Sequence, residues 1–117
     1  MSRIVKCGLI QTKNEVVSPD GGTDAKTMEK IKKAMLDKHV EYIKKAGEQK
    51  VQILCLQEIF NGPYFCAEQQ NCWYDTAEEI PDGPTIKVMQ DLAKKYSMVI
   101  IVPIYEKEGT GVLYNSA

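Results

Sequence analysis

Residues 51–60 read VQILCLQEIF, and the fold turns on how this stretch is taken. Val51 to Leu56 is a nearly continuous apolar run, and Gln57-Glu58 closes it. A short run of this kind suits a strand covered on both faces, as in the interior of a parallel sheet. Upstream the period changes. Met28, Ile31, Met35, Tyr42, Ile43 and Ala46 recur at three- and four-residue spacings, which predicts an amphipathic helix over Thr27–Ala46. Gly47 is placed to cap it. Further upstream, Arg3–Gln11 (RIVKCGLIQ) is short and β-branched at its start and reads as a strand. Thr12–Asp24, with Pro19, Gly21 and Gly22, reads as a loop.

Downstream, Pro63, Pro81, Gly83 and Pro84 bracket a long loop-rich stretch. Pro84 sits where the first turn of a helix tolerates proline. Ile86, Met89, Leu92, Ala93 and Tyr96 then keep helical spacing. Met98–Tyr105 (MVIIVPIY) reads as a strand with an edge or bulge at Pro103. Glu106–Gly111 is a turn, and Val112–Ala117 opens another strand. The alternation of strands and helices gives an α/β fold. All four strands are expected in one sheet. Both helices should cover the same face, because parallel crossovers share one hand. The last hairpin has no helix to cover it, so the 117 residues are expected to be part of a longer protein.

Composition narrows the function classes. Fifteen Lys and Arg stand against sixteen Asp and Glu. This balance gives no electrostatic footprint for nucleic acid or an anionic membrane surface. Lys30, Lys32, Lys33 and Lys38 read as the solvated face of the first helix. No stretch reaches the roughly 20 apolar residues that span a bilayer. The N-terminus has no apolar signal core, so a cytoplasmic location is expected. The four cysteines (Cys7, Cys55, Cys66, Cys72) form no CxxC pair and have no histidine near them, which argues against a zinc site. Cys7 and Cys55 are expected to behave as small hydrophobes. His39, the lone histidine, reads as structural or exposed.

The chemistry concentrates in residues 54–68, LCLQEIFNGPYFCAE. Ligand sites in α/β sheets gather at the carboxyl ends of strands. Glu58 stands at such an end, flanked by Leu56, Ile59 and Phe60. Partial desolvation there would make its carboxylate a better general base. The same pattern also fits a surface glutamate at a strand end. Glu68, Glu78 and Glu79 lie in polar loop context and are expected to tolerate substitution.

The segments VQILCLQEIFNGPYFCAEQ, IPDGPTIKVMQDLAKKYSMVIIVPIYE and GVLYNSA, in this order, resemble the nitrilase superfamily, and within it the β-ureidopropionase and N-carbamoyl amidohydrolase branch. The likeness runs from RIVKCGLIQ to Ala117. It implies that residues 1–117 are the N-terminal part of a carbon-nitrogen hydrolase domain, a four-layer αββα sandwich. It also implies a Glu-Lys-Cys triad in which Glu58 takes the glutamate position. The triad's lysine and nucleophilic cysteine would lie beyond Ala117, since no cysteine here has the nucleophile's context. Cys66 is expected to pack in the loop. Tyr64 and Phe65 either line the substrate pocket or pack the loop. Trp73 and Tyr74 are expected to anchor the long loop or an oligomer contact, and Asn115 to satisfy backbone or site geometry.

The resemblance further implies a small N-carbamoyl or amide substrate, no metal or organic cofactor, and a homo-oligomer when full length. N-carbamoylputrescine is the other substrate to weigh. A reading of another class is a truncated, inactive chain with only a binding role.

Overall fold

The structure is a computed structural model that describes residues 3–15, 24–66 and 70–117. The expected loop at Pro19, Gly21 and Gly22, and Glu68, lie outside the described residues. Strand β1 (Cys7–Leu9) leads to helix α1 (Ala25–Glu48) and strand β2 (Ile53–Cys55). A 3-10 segment at Asn71–Thr76 precedes helix α2 (Pro84–Tyr96) and strand β3 (Val99–Ile101). Strands β4 (Ile104–Lys107) and β5 (Leu113–Ser116) follow.

Strands β1, β2 and β3 form a parallel sheet in that order, with Gly8, Leu54 and Ile100 in one row across it. The flanking rows are Cys7, Ile53, Val99 and Leu9, Cys55, Ile101. Because side chains alternate along a strand, these rows share the opposite face. The Leu54 row meets the helices. Ile43 of α1 and Met89 and Leu92 of α2 join Val51, Leu54, Leu56, Phe60 and Met98 in one buried core. Both helices therefore cover one face, as the shared hand of the crossovers requires. On the other face Leu9, Val99 and Ile101 are exposed, and so is Cys7. Cys7 thus sits in an apolar row but is not packed. Among the described residues, no helix is long and apolar enough to cross a membrane.

The expectation of a single four-stranded sheet is corrected. Ile104 pairs with Ser116 and Lys107 with Leu113 in a separate antiparallel hairpin, and the predicted strand Met98–Tyr105 is broken in two. Pro103 has no N–H to give to a ladder, so pairing with β2 stops before it. Its carbonyl instead accepts from the N–H of Phe60 at 3.4 Å.

Helix starts follow sequence chemistry. Asp24 caps α1 by accepting from the Thr27 N–H at 2.9 Å, which satisfies a donor that the helix leaves free. Pro84 occupies the first turn of α2. The role expected for Gly47 is also corrected. It lies inside α1, and Lys50 (φ 58°) takes the left-handed conformation beyond it. A Cβ on Gly47 would come within 2.3 Å of the Tyr96 ring. Glycine here provides close contact between α1 and α2, not a cap.

The lysines of α1 are not all solvated. Lys33 is open to water. Lys32 pairs with Glu78 at 2.6 Å, Lys38 pairs with Glu15 at 2.7 Å, and both lysine side chains are largely covered.

His39 is fully buried, its Nδ1 lies 2.8 Å from the Met35 carbonyl oxygen, and its ring meets Phe60 edge-on at 5.0 Å. Among the described residues, Nε2 has no hydrogen-bond partner. Burial holds the imidazole pKa below its ordinary 6.5; the Met35 carbonyl opposes the shift and the Lys38 ammonium adds to it. A depressed imidazole pKa means that the folded state prefers neutral His39. This stability is fully present above the unfolded pKa and is lost as pH falls below it. Chemical denaturation of the full-length protein is therefore expected to show a lower midpoint at pH 5.5 than at pH 7.5. In His39→Leu that pH-dependent loss should shrink.

Candidate active site

The site begins where β2 ends. Leu56 donates its N–H to the Ile101 carbonyl at 3.1 Å, and this is the last link of the chain to β3 before the turn. Gln57 then ties the turn to the segment after β1, its Oε1 accepting from the Thr12 N–H at 2.6 Å. Glu58 follows and Ile59 breaks the extended path with φ at 46°. A β-branched residue in the left-handed region is uncommon and strained, at about 1–3 kcal/mol. The kink sends Ile59 and Phe60 into the core, 2% and 0% exposed, and leaves Glu58 facing out.

Among the described residues, the burial expected around Glu58 is therefore not present, and its side chain is exposed. The neighbours that were to provide it, Leu56, Ile59 and Phe60, are buried in the core while Glu58 is exposed. What orients Glu58 is Asn115 of β5, whose Nδ2 donates to Glu58 Oε1 at 2.6 Å. The hairpin thus reaches across to the end of β2. Asn115 is the residue through which β5 joins the site.

Tyr64 is 59% exposed. Interaction with the Cys66 thiol, and then the charges of Cys66 and Glu58, hold its phenol above the ordinary pKa of 10.0. Glu58, Tyr64 and Cys66 are all exposed. Phe65 faces the other way. It stacks on Trp73 at 5.7 Å and meets Tyr105 at 4.8 Å. Trp73 in turn packs with Met28 and Ile31 of α1 and anchors the long loop. Tyr74 is exposed. Cys66 does not pack in the loop as expected but is exposed, because Phe65 takes the inward position.

Beside this turn lies a group that the sequence did not announce. Glu78 is 6% exposed and accepts from four donors. Its Oε1 takes Lys32 Nζ at 2.6 Å, Thr85 Oγ1 at 2.7 Å and Asn61 Nδ2 at 3.4 Å. Its Oε2 takes the Thr85 N–H at 2.9 Å. The expectation that Glu78 is a tolerant loop residue is corrected. Its carboxylate sits at the start of α2, where free N–H groups and the helix dipole attract an anion. The PDGPT segment was the available signal. A Cβ on Gly83 would lie 2.6 Å from the Glu79 carbonyl and 2.9 Å from Glu78 Oε2, so glycine is required for this approach. Glu79 is exposed, as expected.

Residues 25–117 match the family model described as carbon-nitrogen hydrolase. The chain is 38% identical over 117 residues to a beta-ureidopropionase of Arabidopsis thaliana, covering 98% of this chain and 27% of that protein. It is 40% identical over 77 residues to an N-carbamoylputrescine amidase of Solanum lycopersicum, covering 65% of this chain and 25% of the relative. It is 30% identical over 114 residues to a nitrilase of Pyrococcus abyssi, covering 97% of this chain and 38% of the relative. The chain spans about a quarter to two-fifths of the length of these relatives. With this match, the parallel α/β sheet and the strand-end glutamate, the chain belongs to the carbon-nitrogen hydrolase family of the nitrilase superfamily.

Proposed function

We propose that the full-length protein hydrolyses a non-peptide carbon–nitrogen bond, that of an N-carbamoyl-β-amino acid, with Glu58 as general base. The observation that carries this reading is Glu58 itself: an outward-facing carboxylate at the carboxyl end of a parallel strand, oriented by Asn115 at 2.6 Å. Ligands of open α/β sheets bind at such ends. The family's lysine and cysteine complete the triad from beyond residue 117. Tyr64, exposed six residues after Glu58 in the chain, lines the substrate side. Phe65 supports that wall from behind through Trp73 and Tyr105.

The steps follow from general acid–base and nucleophilic catalysis. Glu58 takes the thiol proton as the cysteine sulfur bonds to the ureido carbon. The lysine stabilises the oxyanion of the tetrahedral intermediate. Ammonia then leaves with a proton from Glu58, and a thiocarbamate remains on the enzyme. Glu58 next takes a proton from water as its oxygen attacks, and returns it to the departing sulfur. The carbamic acid released breaks down to the amine and carbon dioxide. No step requires a metal or organic cofactor. In the four-layer sandwich, the exposed sheet face that carries Leu9, Val99 and Ile101 is the surface for the second sheet. The homo-oligomer implied by the resemblance makes self-association part of this reading.

N-carbamoylputrescine is the second substrate to weigh, because of the amidase relative from Solanum lycopersicum. The two differ at the far end, carboxylate against ammonium. Ammonia release by the full-length protein from N-carbamoyl-β-alanine and from N-carbamoylputrescine separates them. The expected outcome is higher kcat/KM on the β-alanine derivative. Preference for the putrescine derivative would reverse the choice of substrate. Activity on neither would end the ureido reading and leave plain amides and nitriles.

A further inference from the structure

We propose that Glu78 is a positioning residue that clamps the Glu58 turn from two sides; this rests on Glu58 being the base. Its carboxylate is buried, and its donors come from three separate parts of the chain: Lys32 of α1, Thr85 of α2 and Asn61 of the Glu58 turn. Replacing a buried ion pair with apolar side chains is often neutral or stabilising, so stability alone does not account for such a group.

The first side of the clamp is direct. Asn61 stands three residues after Glu58, is 3% exposed, and donates to both Glu78 Oε1 and Thr85 Oγ1 at 3.4 Å. These bonds fix the far end of the turn whose near end is β2. The second side runs through the hairpin. The Glu78 N–H donates to the Tyr105 carbonyl at 3.0 Å, and the Glu78 carbonyl accepts from the Lys107 N–H at 2.9 Å. Tyr105 is the cross-strand partner of Asn115, and Asn115 holds Glu58. Backbone and side chain of one residue thus reach the turn and the donor that orients its carboxylate.

The strained conformation of Ile59 gives the clamp a task. Residues in sparsely populated backbone regions persist where their surroundings over-determine them, and such strain clusters at functional sites. Ile59 at φ 46° lies between Glu58 and Asn61. If the Asn61 end is released, the turn can relax and the Glu58 carboxylate moves with it. A displacement of about 1 Å costs on the order of 100-fold in rate.

The test uses the full-length protein, with kcat and KM measured per folded molecule well below the unfolding transition. Glu78→Gln keeps the size of the side chain but loses the charge facing Lys32. It is expected to lower kcat roughly 10- to 100-fold while KM stays within about two-fold. Glu78→Asp, which keeps the carboxylate on a shorter stem, should recover part of that loss. A purely structural Glu78 would lower the denaturation midpoint and leave kcat unchanged, and that result overturns the proposal. If Glu78→Gln does not fold, Asn61→Ala decides by the same split, since it cuts the turn's link and leaves Lys32, Glu78 and Thr85 in place. Glu58→Gln is assayed alongside. If it keeps turnover, the base assignment fails and the clamp falls with it. If it is inactive while the Glu78 and Asn61 variants match the parent, only the clamp is wrong.

Discussion

Phe60→Ala is expected to cost about 3–5 kcal/mol of stability, the range for deleting a fully buried aromatic ring. Phe60 is 0% exposed and belongs to the core formed by Ile43, Leu54, Met89 and Leu92. Its ring meets buried His39 edge-on at 5.0 Å, and its N–H is bonded to Pro103. The side chain therefore joins α1, the sheet and the turn after β2 at one point. Backbone bonds on both sides restrain collapse of the site, so a cavity should remain. Denaturant titration of the full-length protein and the variant measures the effect. A loss below about 1 kcal/mol would mean that the surroundings collapse into the space or that the ring is not buried. Because Phe60 lies two residues from Glu58, a fall in turnover should accompany the fall in stability.

How much of this was legible in the sequence depended on the range of the contacts involved. Local periodicity identified α1 and α2 and the strands between them, because an element that buries one face must repeat apolar residues at its own period. Pro103 marked a break and Glu106–Gly111 the turn of a hairpin, although no local pattern encodes that this hairpin leaves the main sheet. Gly47 shows a signal with two meanings. A glycine near a helix end suggested a cap, but the contact that demands it is with Tyr96 on another helix.

The candidate site divides in the same way. The placement of Glu58 at a strand end was legible because that feature is local, and Asn115 was singled out through the family likeness, but the bond between them is a long-range contact. Lys32 and Glu78 were misread as solvated side chains because each sits among like charges, Lys30 and Lys33 on one side and Glu79 on the other. Their pairing is a long-range contact, and burial rather than composition sets its character. The PDGPT helix start offered a clue, since an anion is favoured there. Tyr64 and Phe65, taken together in the sequence, face opposite ways in the structure. Tyr64 is exposed and Phe65 packs on Trp73.

Ammonia release by full-length Glu58→Gln, beside the parent, is the most direct measurement of what Glu58 does. Glutamine retains an oxygen to accept from Asn115 Nδ2, so the turn and the hairpin contact should survive. Only the proton acceptor is lost. Loss of a positioned base typically lowers rate about 10²- to 10⁴-fold, and substrate affinity should persist because the site keeps its shape. Glu79→Gln is the matched control, since Glu79 is exposed one residue from the buried Glu78. The expected result is turnover reduced by at least 100-fold in Glu58→Gln and unchanged in Glu79→Gln. Near-parent turnover in Glu58→Gln, on whichever substrate the parent prefers, would contradict the assignment of Glu58 as the general base.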